Sequence, residues 1–121
     1  MSNCVYIVTC IEHQSNGLYK IGYTKNLQRR LKYYKTAFPS QPLVIHVRHI
    51  CPMKIAEKVV HLFLCNDKYK RDGGKEWFYT KNVDEFIFVV EQVCDFLQTS
   101  PRRAQGVCTR IVLWLQSLVR L

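Results

Sequence analysis

The chain has 121 residues, of which 48% are hydrophobic and 22% are charged. These proportions exclude a disordered chain and fit one folded domain with a modest core. Lys and Arg number 18 against 9 Asp and Glu, which gives a net charge of +9. An anionic partner is therefore expected, either nucleic acid or an anionic membrane surface.

The chain shows neither a secretory signal nor an apolar run of the ~20 residues that a membrane span requires. We therefore expect an intracellular protein that does not enter a membrane. Its six cysteines form no CxxC pair. Because they sit in apolar runs and no secretory signal is seen, we interpret them as reduced thiols.

Two antiparallel strands are predicted at the N-terminal end. Residues 4–10, CVYIVTC, are dense in β-branched and aromatic side chains, which is typical of a buried strand. Residues 12–17, EHQSNG, have turn chemistry, with a strong reversal signal at Asn16-Gly17. Residues 18–23 are then the second arm of a hairpin, and we expect the chain to turn at Gly22.

A basic helix is predicted next, with Thr24 as its N-cap, and it ends where Pro39 and Pro42 block continuation. Its apolar face repeats at i, i+4 and i+7 and consists of Leu27, Leu31 and Tyr34. No carboxylate occurs between Glu12 and Glu57. Four of its cations are expected to make non-specific phosphate contacts, namely Lys25, Arg29, Lys32 and Lys35.

The remaining chain is predicted as a third strand at 43–51, a helix at 53–65, a short aromatic strand or anchor at 76–79 and an amphipathic helix at 82–98. A break at 100–106 precedes a last helix at 107–121 that is apolar over much of its circumference. We therefore divide the chain into a domain at 1–99 and a C-terminal helical extension at 100–121. The extension could pack on this domain, on a partner, or on a second copy in a homodimer.

His46, His49 and Cys51 lie close together in the third predicted strand. Strand alternation places His46 on the face opposite to the other two residues, and no zinc-ligand pair of the usual spacing exists elsewhere. We therefore reject a zinc site.

Several short motifs follow one another in a fixed order: Val5-Tyr6-Ile7, Lys20-Ile21-Gly22, Asn26-Leu27, Arg30-Leu31, a helix with Glu57, and Glu76-Trp77-Phe78. Together they resemble the GIY-YIG endonuclease superfamily, in particular its small viral and phage-type branch with a YKIG second motif. The resemblance covers residues 4–80. It implies an α/β (α+β) domain with a small three-stranded antiparallel sheet flanked by helices. The C-terminal helix predicted above is an addition that the resemblance does not explain.

Two positions depart from the family motifs. Cys4 stands where the first motif has Gly, and Lys20 replaces the tyrosine of the second motif, with Tyr19 one place earlier. Strand alternation puts Tyr19 and Lys20 on opposite faces, so only one of them can point at a site. From the register with Gly22 we place Lys20 there.

The resemblance implies a role for each motif residue. Glu57 would hold one divalent metal ion, Mg²⁺ or Mn²⁺, which takes one carboxylate together with waters and a substrate phosphate. Tyr6 would be the general base, and because a phenol has an ordinary pKa of ~10, Lys20 or the metal must lower it. Arg30 would hold the scissile phosphate through its planar guanidinium.

Two further residues are candidates for the same site. Tyr34 lies one helical turn beyond Arg30, and His61 shares a helix face with Glu57 at i+4. Composition alone leaves simpler interpretations open for all of these residues. The tyrosines could be packing residues, Arg30 a surface cation, and Glu57 a surface carboxylate paired with Lys58 or His61.

The leading hypothesis is a divalent-metal-dependent DNA endonuclease that nicks DNA or cleaves branched structures. Its expected setting is viral or phage DNA repair, recombination or mobility, in the nucleus or cytoplasm of an infected cell. The alternative is a catalytically inert GIY-YIG-like domain that binds nucleic acid or a protein through its basic face. A third hypothesis is an interaction module that acts through the C-terminal helix.

Overall fold

The computed structural model describes residues 3–51, 53–64, 69 and 77–99. The C-terminal extension predicted at 100–121, and with it the proposed dimer face, lies outside the described residues. So does Glu76. The described elements, in chain order, are β1 (Cys4–Thr9), α1 (Ile11–Ser15), β2 (Leu18–Thr24), α2 (Leu27–Ala37), β3 (Leu43–His49), α3 (Met53–Leu64), β4 (Trp77–Tyr79) and α4 (Asp84–Thr99).

The strands form one antiparallel sheet in the order β3-β1-β2-β4, flanked by helices. This confirms the mixed α/β class. The three expected strands are present, and the aromatic segment adds a fourth at the sheet edge, where Trp77 pairs with Lys20 and Tyr79 with Leu18. The segment that the sequence left as a strand or an anchor is therefore a strand.

The connection between β1 and β2 is more structured than the turn predicted from EHQSNG. It begins with the short helix α1, and Gly17 then takes a positive φ of 74°. That backbone conformation disfavours any residue with a Cβ. A Cβ at this position would also lie 2.7 Å from the Tyr79 ring. Gly17 therefore allows both the reversal and the close approach of β4.

Two details around the start of α2 correct the predictions. The chain does not turn at Gly22, because β2 continues to Thr24, which still pairs with Cys4 of β1. The N-cap of α2 is Asn26 and not Thr24. The Asn26 side chain accepts a hydrogen bond from the Arg29 N–H at 3.1 Å, while the Thr24 hydroxyl accepts one from the Asn26 N–H.

Alternating residues of the sheet face two different cores. Val5 and Ile7 of β1 pack with α3 and α4 in the larger apolar core. Cys4, Tyr6 and Val8 pack against α2 in a smaller one. β1 lies between both helical layers and between two strands, so all its residues are buried. We call these sides of the sheet the α3/α4 face and the α2 face.

The alternation of Tyr19 and Lys20 is as predicted. Tyr19 is buried in the larger core, where its ring meets that of Phe86 at 6.2 Å. Lys20 lies over the Tyr34 ring on the α2 face. The same alternation in β3 pairs His46 with Ile7 and His49 with Cys4, so the two histidines point to opposite faces.

Among the described residues the cysteines Cys4, Cys10, Cys51 and Cys94 are free thiols. Cys51 is exposed, and the other three are buried. Desolvation raises the pKa of Cys94 to about 12, which keeps this thiol protonated. In the part of the chain that the structure describes, no helix is long and apolar enough to cross a membrane.

Candidate active site

Two tyrosines meet at the centre of the α2 face. Tyr6 comes from β1 and Tyr34 from α2, and their hydroxyl oxygens lie 2.6 Å apart. Either oxygen could be the donor. Both side chains are almost fully buried, with exposures of 2% and 1%. The two phenols therefore share a short hydrogen bond where little water competes for it.

Gly22 lies directly beneath the Tyr6 phenol, because the two residues are cross-strand partners. A Cβ at Gly22 would sit 2.6 Å from the Tyr6 hydroxyl oxygen and 2.8 Å from its ring carbon Cζ. Its φ is not positive, so the backbone conformation does not require glycine. Space for the phenol requires it instead, because the Tyr6 ring occupies the volume that a Cβ at Gly22 would need.

Lys20 brings a positive charge to the tyrosine pair. It is the cross-strand partner of Val8 and shares the α2 face with Tyr6. Its Nζ lies 5.3 Å from the centroid of the Tyr34 ring and 5.5 Å from that of Trp77, within the range of cation–π attraction. The substituted position of the second motif therefore does point at this site.

An open cleft of about 640 Å³ borders the tyrosine pair. We call it the cationic cleft. It lies between the end of β2, the start of α2 and the start of α3. The lining includes five basic side chains, those of Lys20, Lys25, Arg29, Arg30 and Lys54. No carboxylate is among its described lining residues, so the cleft favours an anion.

The cleft gathers part of the predicted basic set. Lys25, Arg29 and Arg30 line it, whereas Lys32 and Lys35 are exposed on α2 away from it. Lys54 was not predicted, because only the fold brings the first turn of α3 to this cleft. Tyr34 lines the cleft, but Tyr6 does not. Tyr6 therefore reaches the cleft through its hydrogen bond with Tyr34.

Glu57 and His61 lie one turn apart on α3, with side-chain exposures of 12% and 20%. The Nε2 of His61 lies 2.7 Å from the backbone oxygen of Ile21, the residue before Gly22. A carbonyl oxygen only accepts, so Nε2 carries the proton. The other ring nitrogen, Nδ1, faces Oε1 of Glu57 at 3.7 Å. His61 thereby links the glutamate to β2 from the α3/α4 side, where its ring meets that of Phe78, and neither Glu57 nor His61 lines the cationic cleft.

Glu57 is a carboxylate of the type that can hold a hydrated divalent metal ion. No group of three or more His, Cys, Asp or Glu side chains that could hold a metal occurs among the described residues. That arrangement does not suit a closed zinc site. Mg²⁺ or Mn²⁺, which keep several waters and use one or two carboxylates with substrate phosphate, suit the single half-buried Glu57.

Cys4, at the position of the first-motif glycine, is fully buried in the smaller core. Desolvation raises the pKa of its thiol, so it remains protonated. A protonated, inaccessible thiol is a packing residue and not a nucleophile. This departure from the motif therefore leaves the polar groups of the site unchanged.

A family model for the T5orf172 domain matches residues 3–98, nearly all of the described chain. No curated protein matches the sequence, and neither does any solved structure. The T5orf172 domain occurs in phage T5 ORF172 and in nuclease-related proteins. It points to a nuclease-like or nucleic-acid-binding role, in agreement with the cationic cleft. The chain belongs to the T5orf172 domain family.

Proposed function

We propose that this protein is a DNA endonuclease of the GIY-YIG type, which hydrolyses a phosphodiester bond with the help of one Mg²⁺ or Mn²⁺ ion. The observation that carries the proposal is the hydrogen-bonded pair Tyr6–Tyr34 at the wall of the cationic cleft. A binding surface needs cations, but it does not need two buried phenols at hydrogen-bond distance from each other.

The cationic cleft binds the DNA backbone. Arg30 is exposed on the cleft and carries a planar guanidinium that can donate two parallel hydrogen bonds to phosphate oxygens. Lys25 and Arg29 add charge along the first turns of α2. Such contacts give affinity that falls as salt rises, and they carry no sequence information. We assign the scissile phosphate to Arg30 because it lies one helical turn from Tyr34.

The tyrosine pair accepts the proton of the attacking water. To act as a base the pair must already have lost one proton, so that Tyr6 is a phenolate. Tyr34, which lines the cleft, then takes the proton of the water while its own proton passes along the 2.6 Å hydrogen bond to Tyr6, which lies behind it. Tyr6 is the base in this scheme, and Tyr34 connects it to the cleft. Lys20, beside Tyr34, places a positive charge where negative charge develops in the transition state.

Glu57 would hold the metal ion, and His61 would orient the carboxylate from its anchor on β2. When bound, such an ion neutralises charge on the phosphate and leaving oxygens. His61 acts through Glu57 and is a positioning residue.

The test is cleavage of supercoiled and branched DNA with Mg²⁺ or Mn²⁺, comparing the native protein with Glu57→Gln. We expect the native protein to nick DNA, EDTA to stop it, and the variant to bind DNA but cut at least about 100-fold more slowly. The matched control is Glu91→Gln, whose carboxylate pairs with His46 and Arg48 outside the cleft. Equal cutting by the native protein and Glu57→Gln would contradict the proposal.

The second candidate is an inert domain that binds nucleic acid or a protein through the same cleft. Lys20 favours it, because the family motif has a tyrosine there. This candidate predicts DNA binding with steep salt dependence and no cutting with either metal. It also predicts that Glu57→Gln binds DNA like the native protein.

A further inference from the structure

A second, smaller cleft lies beside the cationic cleft, with a volume of about 300 Å³. We call it the aromatic cleft. Its walls bring together five rings from three elements and the segment after α2, namely His13, Tyr33, Tyr34, Phe38 and Trp77. Neither composition nor periodicity points to this cleft, because the rings lie far apart in the sequence.

The rings form a continuous wall. Tyr34 and Phe38 are stacked, with centroids 4.7 Å apart and planes 10° apart. Trp77 lies 5.6 Å from Phe38, and His13 lies 4.8 Å from Trp77. Phe38 is 8% exposed, whereas His13 and Trp77 are half-buried. The wall is therefore held from behind by the smaller core, and part of its ring surface reaches solvent.

The two clefts share a border. Lys20, Tyr33 and Tyr34 line both of them. An occupant of both clefts would carry a negative charge on one side and a flat apolar group on the other. A nucleotide has these two parts at adjacent positions. The small volume suits one ring system and not a stretch of duplex.

We propose that the aromatic cleft binds one unpaired nucleobase of the DNA strand whose phosphate lies in the cationic cleft. Within a duplex a paired base has both of its faces covered by its neighbours in the stack, so a base there must be unpaired before it can stack on a protein ring. This inference rests on the proposed DNA substrate. It deepens that proposal by naming the substrate class, which is DNA with an unpaired nucleotide at a flap, gap or bulge.

The test compares two DNA duplexes that differ at one position. One carries a single unpaired nucleotide, and the other carries an abasic site at that nucleotide, so the number of phosphates is equal. Binding is measured in EDTA, where no cleavage occurs. We expect the native protein to bind the base-containing DNA about tenfold more tightly. Equal affinity for the two would overturn the inference.

A protein variant tests whether the preference for the base arises in the aromatic cleft. His13→Ala removes a half-buried ring from the wall and should abolish the preference for the base while leaving binding to the abasic DNA in place. The matched control is Phe88→Ala, which removes a ring that is 49% exposed on α4. It should keep the preference. If His13→Ala keeps the preference as well, the base binds elsewhere and the inference fails.

The fluorescence of Trp77 tests directly whether a base binds in the aromatic cleft. The chain has two tryptophans, Trp77 and Trp114. In a Trp114→Phe background, the base-containing DNA should quench the remaining tryptophan fluorescence more than the abasic DNA does, because a base stacks near the Trp77 indole. Equal quenching would count against the aromatic cleft as the site, even if the affinities differ.

These results separate the inference from the proposed chemistry. Nicking that depends on Glu57, without any preference for the base, would overturn the aromatic cleft alone. A clear preference without any cutting would support the aromatic cleft and overturn the endonuclease proposal. Failure to bind either DNA would overturn both.

Discussion

The two faces of the sheet differ in what they bury. On the α3/α4 face the buried cluster is made of aliphatic and aromatic side chains around Val5, Ile7 and Ile21, packed against two long helices. On the α2 face the cluster is smaller, and it contains the hydrogen-bonded pair Tyr6–Tyr34. The central strands β1 and β2 supply both faces through alternate residues. Residues that stabilise the larger core and residues that carry polar groups are therefore neighbours in the sequence.

The difference indicates how a chain of this size can hold a polar site. Hydrophobic burial scales with the apolar area removed from water, and most of that area lies on the α3/α4 face. The α2 face can then keep two phenols and border on several cations. We therefore expect damage on one face to lower mainly stability and damage on the other to lower mainly activity.

The largest expected effect is on cleavage by Tyr6→Phe, which keeps the ring but removes the hydroxyl. If Tyr6 is the base, cutting should slow by about 10²–10⁴-fold. The Tyr34 hydroxyl loses its partner, which should lower the free energy of unfolding by about 1–3 kcal/mol. Nicking assays and urea titration measure the two effects.

The control for that variant is Tyr79→Phe, whose ring is 38% exposed on β4. It should cut DNA at the native rate. If Tyr6→Phe also cuts at the native rate, the tyrosine pair is a packing feature, and the contrast between the two faces is one of stability alone.

The second expected effect is on stability, through Phe86→Ala on the α3/α4 face. Phe86 is fully buried and contacts the rings of Tyr19, Tyr69 and Phe78. The cavity should lower the free energy of unfolding by about 3–5 kcal/mol, as measured by urea denaturation. Phe88→Ala, two residues away and half-exposed, should change it by less than about 0.5 kcal/mol.

The DNA affinity of Phe86→Ala tests whether the two faces of the sheet act independently. Under conditions where Phe86→Ala is folded, it should bind DNA as tightly as the native protein, because its ring lies on the face opposite to the cationic cleft. A marked loss of affinity would show that the two faces are coupled.

The smallest expected effect is that of Asn26→Ala at the start of α2. The side chain of Asn26 accepts from the Arg29 N–H, so its removal should cost about 1 kcal/mol in urea denaturation. Asn26 also lines the cationic cleft, so a modest loss of DNA affinity should accompany this. Gln28→Ala, on the exposed side of the same turn, should change neither quantity. Because alanine favours a helix at least as well as glutamine, equal losses in both variants would mean that the Asn26 cap is not their cause.

Local patterns in the sequence predicted β1 to β3, α2 to α4 and the opposite orientations of Tyr19 and Lys20, whereas α1 was predicted as a turn and β4 was left as a strand or an anchor. They did not predict that Gly22 lies within a strand, because glycine signals a turn unless the neighbouring side chain is known. Thr24 and Asn26 are both good caps, and only the pairing of Thr24 with Cys4 decides between them. Lys54 and the rings of the aromatic cleft come together only through tertiary packing, which leaves no periodic signal.

The close contact of Gly22 with Tyr6 limits how this chain can vary. The Tyr6 phenol and the absent side chain at position 22 occupy the same volume, so the two positions behave as one unit. A methyl group gained at Gly22 fits only if atoms are lost at Tyr6. A chain that gives up the phenol is free to lose the glycine too. In any variant of this sequence, the residues at positions 6 and 22 therefore indicate together whether the tyrosine site is retained.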